Sequence, residues 1–187
     1  MSDLAKSNPG ARRPRPFATI ILAAGKGTRM KSDLHKVLHP IARRPMLGHL
    51  LAAVAELGPA AQAVVAGAGR EQVEAFVARD GDGAKVVLQE PQLGTAHAVQ
   101  QAESALAGFG GDVLILHGAV PLGRAETMAR MLDRLDGEDK PAAVVLGFRP
   151  ADPLAYGRIV AEDGVIRKMV EYKDATPEER AVTLCNS

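Results

Sequence analysis

Apolar positions along this chain fall into two rhythms that take turns. Short runs at 17–23, 62–66, 85–89, 112–117 and 142–148 are apolar and rich in β-branched residues, and each predicts a buried strand. Between them apolar residues recur three and four apart, as on one face of a helix. The stripes are Met46, Leu47, Leu50, Leu51, Val54 and Leu57; Val73, Phe76 and Val77; Val99, Ala102 and Leu106; and Met128, Met131, Leu132 and Leu135. This alternation predicts an α/β, Rossmann-like fold with a mostly parallel sheet flanked by helices. Beyond Pro150 the rhythm turns to strand pairing. Arg158–Ala161 and Val165–Val170 flank Glu162-Asp163-Gly164, and Asp-Gly predicts an inserted β-hairpin. The last run, Ala181-Val182-Thr183-Leu184, reads as a strand that begins and then stops with the chain, a C-terminal truncation.

The first strand run leads straight into Leu22-Ala23-Ala24-Gly25-Lys26-Gly27-Thr28-Arg29-Met30, with Lys36-Val37-Leu38 shortly after. Positions without side chains let backbone N–H groups approach phosphate oxygens, and Lys26, Arg29 and Lys36 add cationic partners. The stretch therefore reads as a cradle for a nucleoside triphosphate. A P-loop is excluded, because it needs glycine where Ile20 stands and Ser or Thr where Gly27 stands. The dinucleotide fingerprint fails too, with Met30 at its third glycine. Taken alone, such a stretch is also compatible with an ordinary strand-to-helix turn.

Position on the sheet adds weight to the ligand reading. Ligands of open α/β sheets collect beyond the carboxyl ends of the strands. Gly25–Arg29 follow the first strand, Gln89–Thr95 the third and His117-Gly118-Ala119 the fourth, so one rim is expected to gather all three loops.

Composition narrows the partners. With 187 residues, 17–187 is expected to form one domain, incomplete at its C-terminus. Residues 1–16, with Pro9, Pro14 and Pro16 beside Arg12, Arg13 and Arg15, read as a disordered tail. Lys and Arg total 23 against 22 Asp and Glu, a net charge of +1 that gives no global field for nucleic acid. The single Cys185 makes no internal disulfide and fits a reducing compartment. No apolar run approaches the length of a membrane span, so a soluble, cytoplasmic protein is expected.

These motifs together resemble the uridyltransferase domain of the bifunctional bacterial N-acetylglucosamine-1-phosphate uridyltransferase / glucosamine-1-phosphate acetyltransferase. The resemblance runs from about Ala18 to Ser187. Besides the glycine-rich stretch and Lys36-Val37-Leu38-His39-Pro40, it includes Val87 to Ala98, Tyr156-Gly157-Arg158-Ile159 and Val170 to Ala175. The first motif is shared by many sugar-nucleotide pyrophosphorylases; Gln92-Leu93-Gly94-Thr95-Ala96-His97 and Glu171-Tyr172-Lys173-Asp174-Ala175 narrow it.

The resemblance implies that UTP and N-acetylglucosamine 1-phosphate become UDP-N-acetylglucosamine and pyrophosphate, with Mg²⁺ as cofactor. It places Leu22, Ala23, Ala24 and Gly25 along the uridine and phosphates, and Arg29 and Lys36, the catalytic cations, on the triphosphate. Gln89, Gly94 and Thr95 would recognise uracil, Gly118 would complete the substrate rim, and Gly157, Glu171 and Asn186 would hold the sugar. Bland alternatives stay open: Lys36 as a surface lysine, Glu171 as a solvated charge, Gln89 and Thr95 as a strand end and a helix cap. His97 is expected to be structural. His35 stands where the family has proline.

One departure is chemical. The family reads Tyr-Gly-Asp-Val-Pro-Leu where this chain reads His117-Gly118-Ala119-Val120-Pro121-Leu122, so the metal-binding aspartate is Ala119. Alanine offers magnesium no side-chain oxygen. Asp112 begins the same strand, roughly 23 Å away at ~3.3 Å per residue. The resemblance therefore leaves the metal without its protein ligands and activity impaired. The alternatives are a non-catalytic nucleotide or nucleotide-sugar binder, and a related nucleotidyltransferase that uses another base.

Overall fold

The computed structural model describes residues 15–25, 27 and 30–186. The chain divides into two compact units, at Gly137 and Glu138.

In the first unit the elements are β1 (Phe17–Ala23), a short β2 (Pro40–Ile41) and β3 (Arg44–Pro45), α1 (Met46–Ala55), β4 (Ala61–Ala66), α2 (Arg70–Asp80), β5 (Lys85–Leu88), α3 (Thr95–Gln101), β6 (Asp112–His117) and α4 (Ala125–Leu135). The main sheet runs β5-β4-β1-β6, and every pairing in it is parallel. β1 lies inside, with Ala18–Ala23 in register with Ala61–Ala66 and Phe17–Leu22 with Asp112–His117.

The nearly unbroken apolar run of β1 explains why it must lie inside. Phe17, Ile21 and Ala23 join a core with Leu47, Leu50, Val54, Val73, Phe76, Met128 and Leu132, so α1, α2 and α4 cover that face. Ile20 and Ala24 join Ala63, Val65, Ala98 and Ala102 on the other, beneath α3. A strand apolar on both sides suits a parallel sheet covered on both faces. Strand order reverses at β1, with β4 and β5 to one side and β6 to the other. A switch of this kind opens a crevice at the carboxyl ends.

Three sequence expectations change. Arg15, read as part of the tail, forms an ion pair with Asp112 at 3.2 Å, and Asp112 N donates to Pro16 O at 3.0 Å. The start of β6 thus anchors the chain just before β1, while the tail up to residue 14 lies outside the described residues. The run 142–148 forms no strand among the described residues; it makes an isolated bridge from Phe148 to Cys185. A strand needs a ladder as well as β-branched side chains. The strand read at 181–184 is displaced, appearing at Cys185–Asn186.

The second unit holds β7 (Gly157–Glu162), β8 (Val165–Val170), the one-turn α5 (Pro177–Arg180) and β9 (Cys185–Asn186), with sheet order β8-β7-β9. The expected hairpin is present: β7 and β8 pair antiparallel, joined through Asp163 (φ 51°) and Gly164 (φ 78°). Positive φ at both turn residues matches the twist of the strands they join. The buried Arg158 binds this unit together. Its guanidinium donates to Arg180 O (3.3 Å), Leu154 O (3.1 Å), Pro153 O (3.4 Å) and Tyr156 O, and lies 5.3 Å from the Tyr172 ring centre.

Candidate functional site

The loops after β1, β5 and β6 meet at the carboxyl rim of the parallel sheet, as their sequence positions predict. Gly118 N donates to Leu22 O at 2.9 Å, extending the contact between the ends of β6 and β1. Gln89 N donates to Ala66 O at 2.8 Å, and the Gln92 side-chain amide donates to Ala24 O. These bonds bring Leu22, Ala23, Ala24, Gln89 and Gly118 into one neighbourhood. Gly25 and Gly94 are exposed there, and Thr95 opens α3, also exposed. Gly94 holds the N-cap position of α3 with no side-chain cap, so Thr95 is not the cap that was one of its two readings. Arg29, with Lys26 and Thr28, lies outside the described residues.

Lys36 is half-buried at the head of a 3-10 turn, Lys36–Leu38, whose Val37 and Leu38 are buried in the core. Two apolar anchors therefore fix the base of a cationic side chain. Gly27, at φ 59°, folds back onto it so closely that a methyl group there would stand 2.7 Å from Lys36 Cβ. Only glycine takes that conformation at so close an approach without strain. Lys36 makes no ion pair with a carboxylate among the described residues, which leaves its ammonium for an anion.

The turn is held from behind by Gln72, which the sequence did not single out, and by His35. Gln72 on α2 accepts from His35 N through Oε1 at 2.9 Å and donates through Nε2 to Asp33 O at 2.9 Å. The His35 ring is 7% exposed, and its Nδ1 accepts from Val37 N at 3.4 Å. His35 Nε2 is buried without a partner among the described residues. Nothing in the sequence pattern marks Gln72; Gln92 stood inside the Gln-Leu-Gly-Thr-Ala-His motif without an assigned role.

Burial pushes the His35 pKa below its ordinary value of 6.5. The unfolded chain then binds a proton at pH values where the folded one does not. Protonation of His35 therefore takes nothing from stability well above pH 6.5, and stability falls as pH drops below it. Thermal melts at about pH 7.5 and about pH 5.5 should show a smaller acid shift in His35→Asn, which keeps an acceptor for Val37 N–H, than in the unaltered chain.

In the second unit, Gly157 and Asn186 are register partners across β7 and β9. A methyl group at Gly157 would overlap the Asn186 side-chain amide, so the two form one surface. Asn186 Oδ1 is buried without a hydrogen bond among the described residues. Glu171 is exposed, one residue past β8, at the N-cap position of the 3-10 turn Tyr172–Asp174, where its side chain makes no capping hydrogen bond.

The chain matches a family model described as the MobA-like NTP transferase domain over residues 19–176. It belongs to that family. Among curated relatives, the bifunctional protein GlmU of Rhizorhabdus wittichii is 74% identical over 92% of this chain. Those of Novosphingobium aromaticivorans and Zymomonas mobilis are 67% and 56% identical, each also over 92% of this chain. The chain spans 38% of the first relative's length. Among solved structures, a UDP-glucose pyrophosphorylase complexed with UDP-glucose aligns with TM-score 0.70 at 20% identity, over 91% of this chain and 73% of that one. A putative glucose-1-phosphate thymidylyltransferase from Bacillus anthracis aligns with TM-score 0.72 at 20% identity, over 91% of this chain and 69% of that one. Both show that the chain shares the fold of these proteins.

Proposed function

We propose that this chain is the nucleotide-handling part of an enzyme that joins UTP and N-acetylglucosamine 1-phosphate, releasing UDP-N-acetylglucosamine and pyrophosphate. The observation that carries this reading is the convergence at one switch-point rim of Leu22–Gly25, Lys36, Gln89, Gly94, Thr95 and Gly118, in a chain 74% identical to a bifunctional GlmU protein.

The chemistry asks for positioning more than for a protein nucleophile. The sugar phosphate oxygen attacks the α-phosphorus in line as pyrophosphate departs, so catalysis consists of holding two anions and stabilising charge. Lys36, with Arg29, supplies positive charge along the triphosphate. Gln89, Gly94 and Thr95 face the base. On the second unit, Gly157 and Asn186 form one surface for the sugar, and Glu171 offers a carboxylate to its hydroxyls.

Enzymes of this class work with magnesium, which neutralises charge on the departing pyrophosphate. The residues of this chain do not fit that ion. Where the family carries its metal-binding aspartate this chain has Ala119, which brings no side-chain oxygen. Turnover by this chain is therefore expected to be severely impaired. Ala119 specifically favours a second reading, in which the chain binds a nucleotide or nucleotide sugar without catalysis.

Among the described residues no helix is long and apolar enough to cross a membrane. Small anions, UTP, N-acetylglucosamine 1-phosphate and UDP-N-acetylglucosamine, are the partners proposed, in the cytoplasm. Calorimetry with UTP and GTP tests the reading, and UTP is expected to bind more tightly. Equal or reversed affinities would remove the uridyl assignment and leave another-base transferase as the better account.

A further inference from the structure

Gln89 is 4% exposed, and its side-chain amide is held at two points. Nε2 donates to Gly94 O at 2.9 Å and lies 3.2 Å from His97 Nδ1. A carbonyl oxygen can only accept, so Gly94 fixes which end of the amide is nitrogen. The second amide proton then points at His97 Nδ1, which must offer a lone pair. A neutral imidazole cannot accept at both nitrogens, so with Nδ1 accepting, Nε2 carries the proton. The Gln101 amide 3.1 Å away then turns end for end to meet it with oxygen, giving up its 3.2 Å bond to His97 O, a longer bond than the 2.9 Å one that holds Gln89 to Gly94. With both protons of Gln89 Nε2 engaged, the group left for a ligand is Oε1, which accepts no hydrogen bond among the described residues.

We propose that His97 is a specificity-determining positioning residue: by accepting from Gln89 through Nδ1, it keeps the Gln89 carbonyl oxygen toward the base and so selects a ring that presents an N–H. The inference rests on the uridine-binding reading above. Uracil carries a proton on N3 and meets Oε1 with a donor, whereas cytosine carries a lone pair there and is repelled. With only Gly94 to hold it, the amide can turn and offer Nε2 to cytosine at the cost of one bond. Loss of His97 therefore removes selection rather than simple grip. His97 need not touch the nucleotide, since it acts on the residue that does.

The test compares UDP and CDP affinities by calorimetry for the unaltered chain, His97→Asn and His97→Leu. Asparagine places an oxygen acceptor where Nδ1 stands and should retain the preference for UDP. Leucine has no acceptor; it should lower the UDP-to-CDP affinity ratio about tenfold, with CDP binding tighter in absolute terms. Damage to packing would weaken both ligands together, and that result, or an unchanged ratio, overturns the proposal. A second measurement needs no nucleotide. In the unaltered chain and His97→Asn, the Gln89 side-chain amide protons should exchange slowly in NMR spectra, and in His97→Leu one should exchange quickly. Identical exchange in all three overturns the proposed hydrogen bond. Slow exchange with no UDP preference in the unaltered chain would retain the bond, reject its role in selection, and locate the failure in the uridine-binding reading.

Discussion

Ala119→Asp, introduced into a chain extended to the full length of its curated relatives, is expected to raise pyrophosphate release by about a hundredfold or more in Mg²⁺. Position 119 follows Gly118, whose N–H is tied to Leu22 O, so it stands where β6 and β1 end together. An aspartate there would supply the hard oxygen that alanine lacks. A missing charged group plausibly costs several kcal/mol at the transition state, and each ~1.4 kcal/mol is tenfold in rate. The substitution also has a cost that can be read separately. Ala119 packs partly buried against the main core, and a carboxylate partly removed from water is destabilising until something compensates it. Without divalent cation the variant should melt below the alanine form, and magnesium should narrow the gap. Equal turnover by the two forms would reject the metal-site account, and no turnover by either would favour the non-catalytic reading.

Lys36→Ala is expected to weaken UTP binding by roughly ten- to a hundredfold, in line with the loss of a charge-assisted contact. Uridine, which lacks phosphates, should bind the variant and the unaltered chain alike. Because Val37 and Leu38 keep the turn seated in the core, removing the lysine beyond Cβ should leave the melting temperature nearly unchanged. Calorimetry with UTP and uridine beside a thermal melt separates the effects. Parallel losses for both ligands would mean that the turn itself had moved, and no loss for either would return Lys36 to the ordinary surface.

Much of the fold and the rim was legible because both follow from local repetition. The nearly unbroken apolar run Phe17–Ala23 foretold a buried strand, and the helical stripes from Met46 to Leu135 foretold the helices that cover the sheet. The hairpin was legible because Asp163-Gly164 specifies a turn by backbone sterics alone. The run 142–148 misled because pairing is not local: Ala142 to Leu146 have the composition of a strand, but a ladder depends on residues far along the chain. The same limit hid Gln72, whose hold on Asp33 and His35 spans 37 or more positions and leaves no periodic trace. Residue types named the candidate chemistry, with Lys36 as cation, Gln89 as amide and Ala119 as the absent carboxylate. They were silent on which end of the Gln89 amide faces outward, because that is decided by His97 and Gly94 together.

The inner place of β1 also bears on synthesis. Among the described residues it is the first strand made, yet its partners are β4, beginning at Ala61, and β6, ending at His117. At about 5–20 residues per second, a nascent chain carries β1 for several seconds before either neighbour is complete. Throughout that interval Phe17–Ala23, apolar on both faces and unpaired at both edges, is a sticky segment at the ribosome exit. Slower translation between Gly25 and His117 would lengthen its exposure, and a chaperone resting on Phe17–Ala23 would shield it until β4 and β6 arrive.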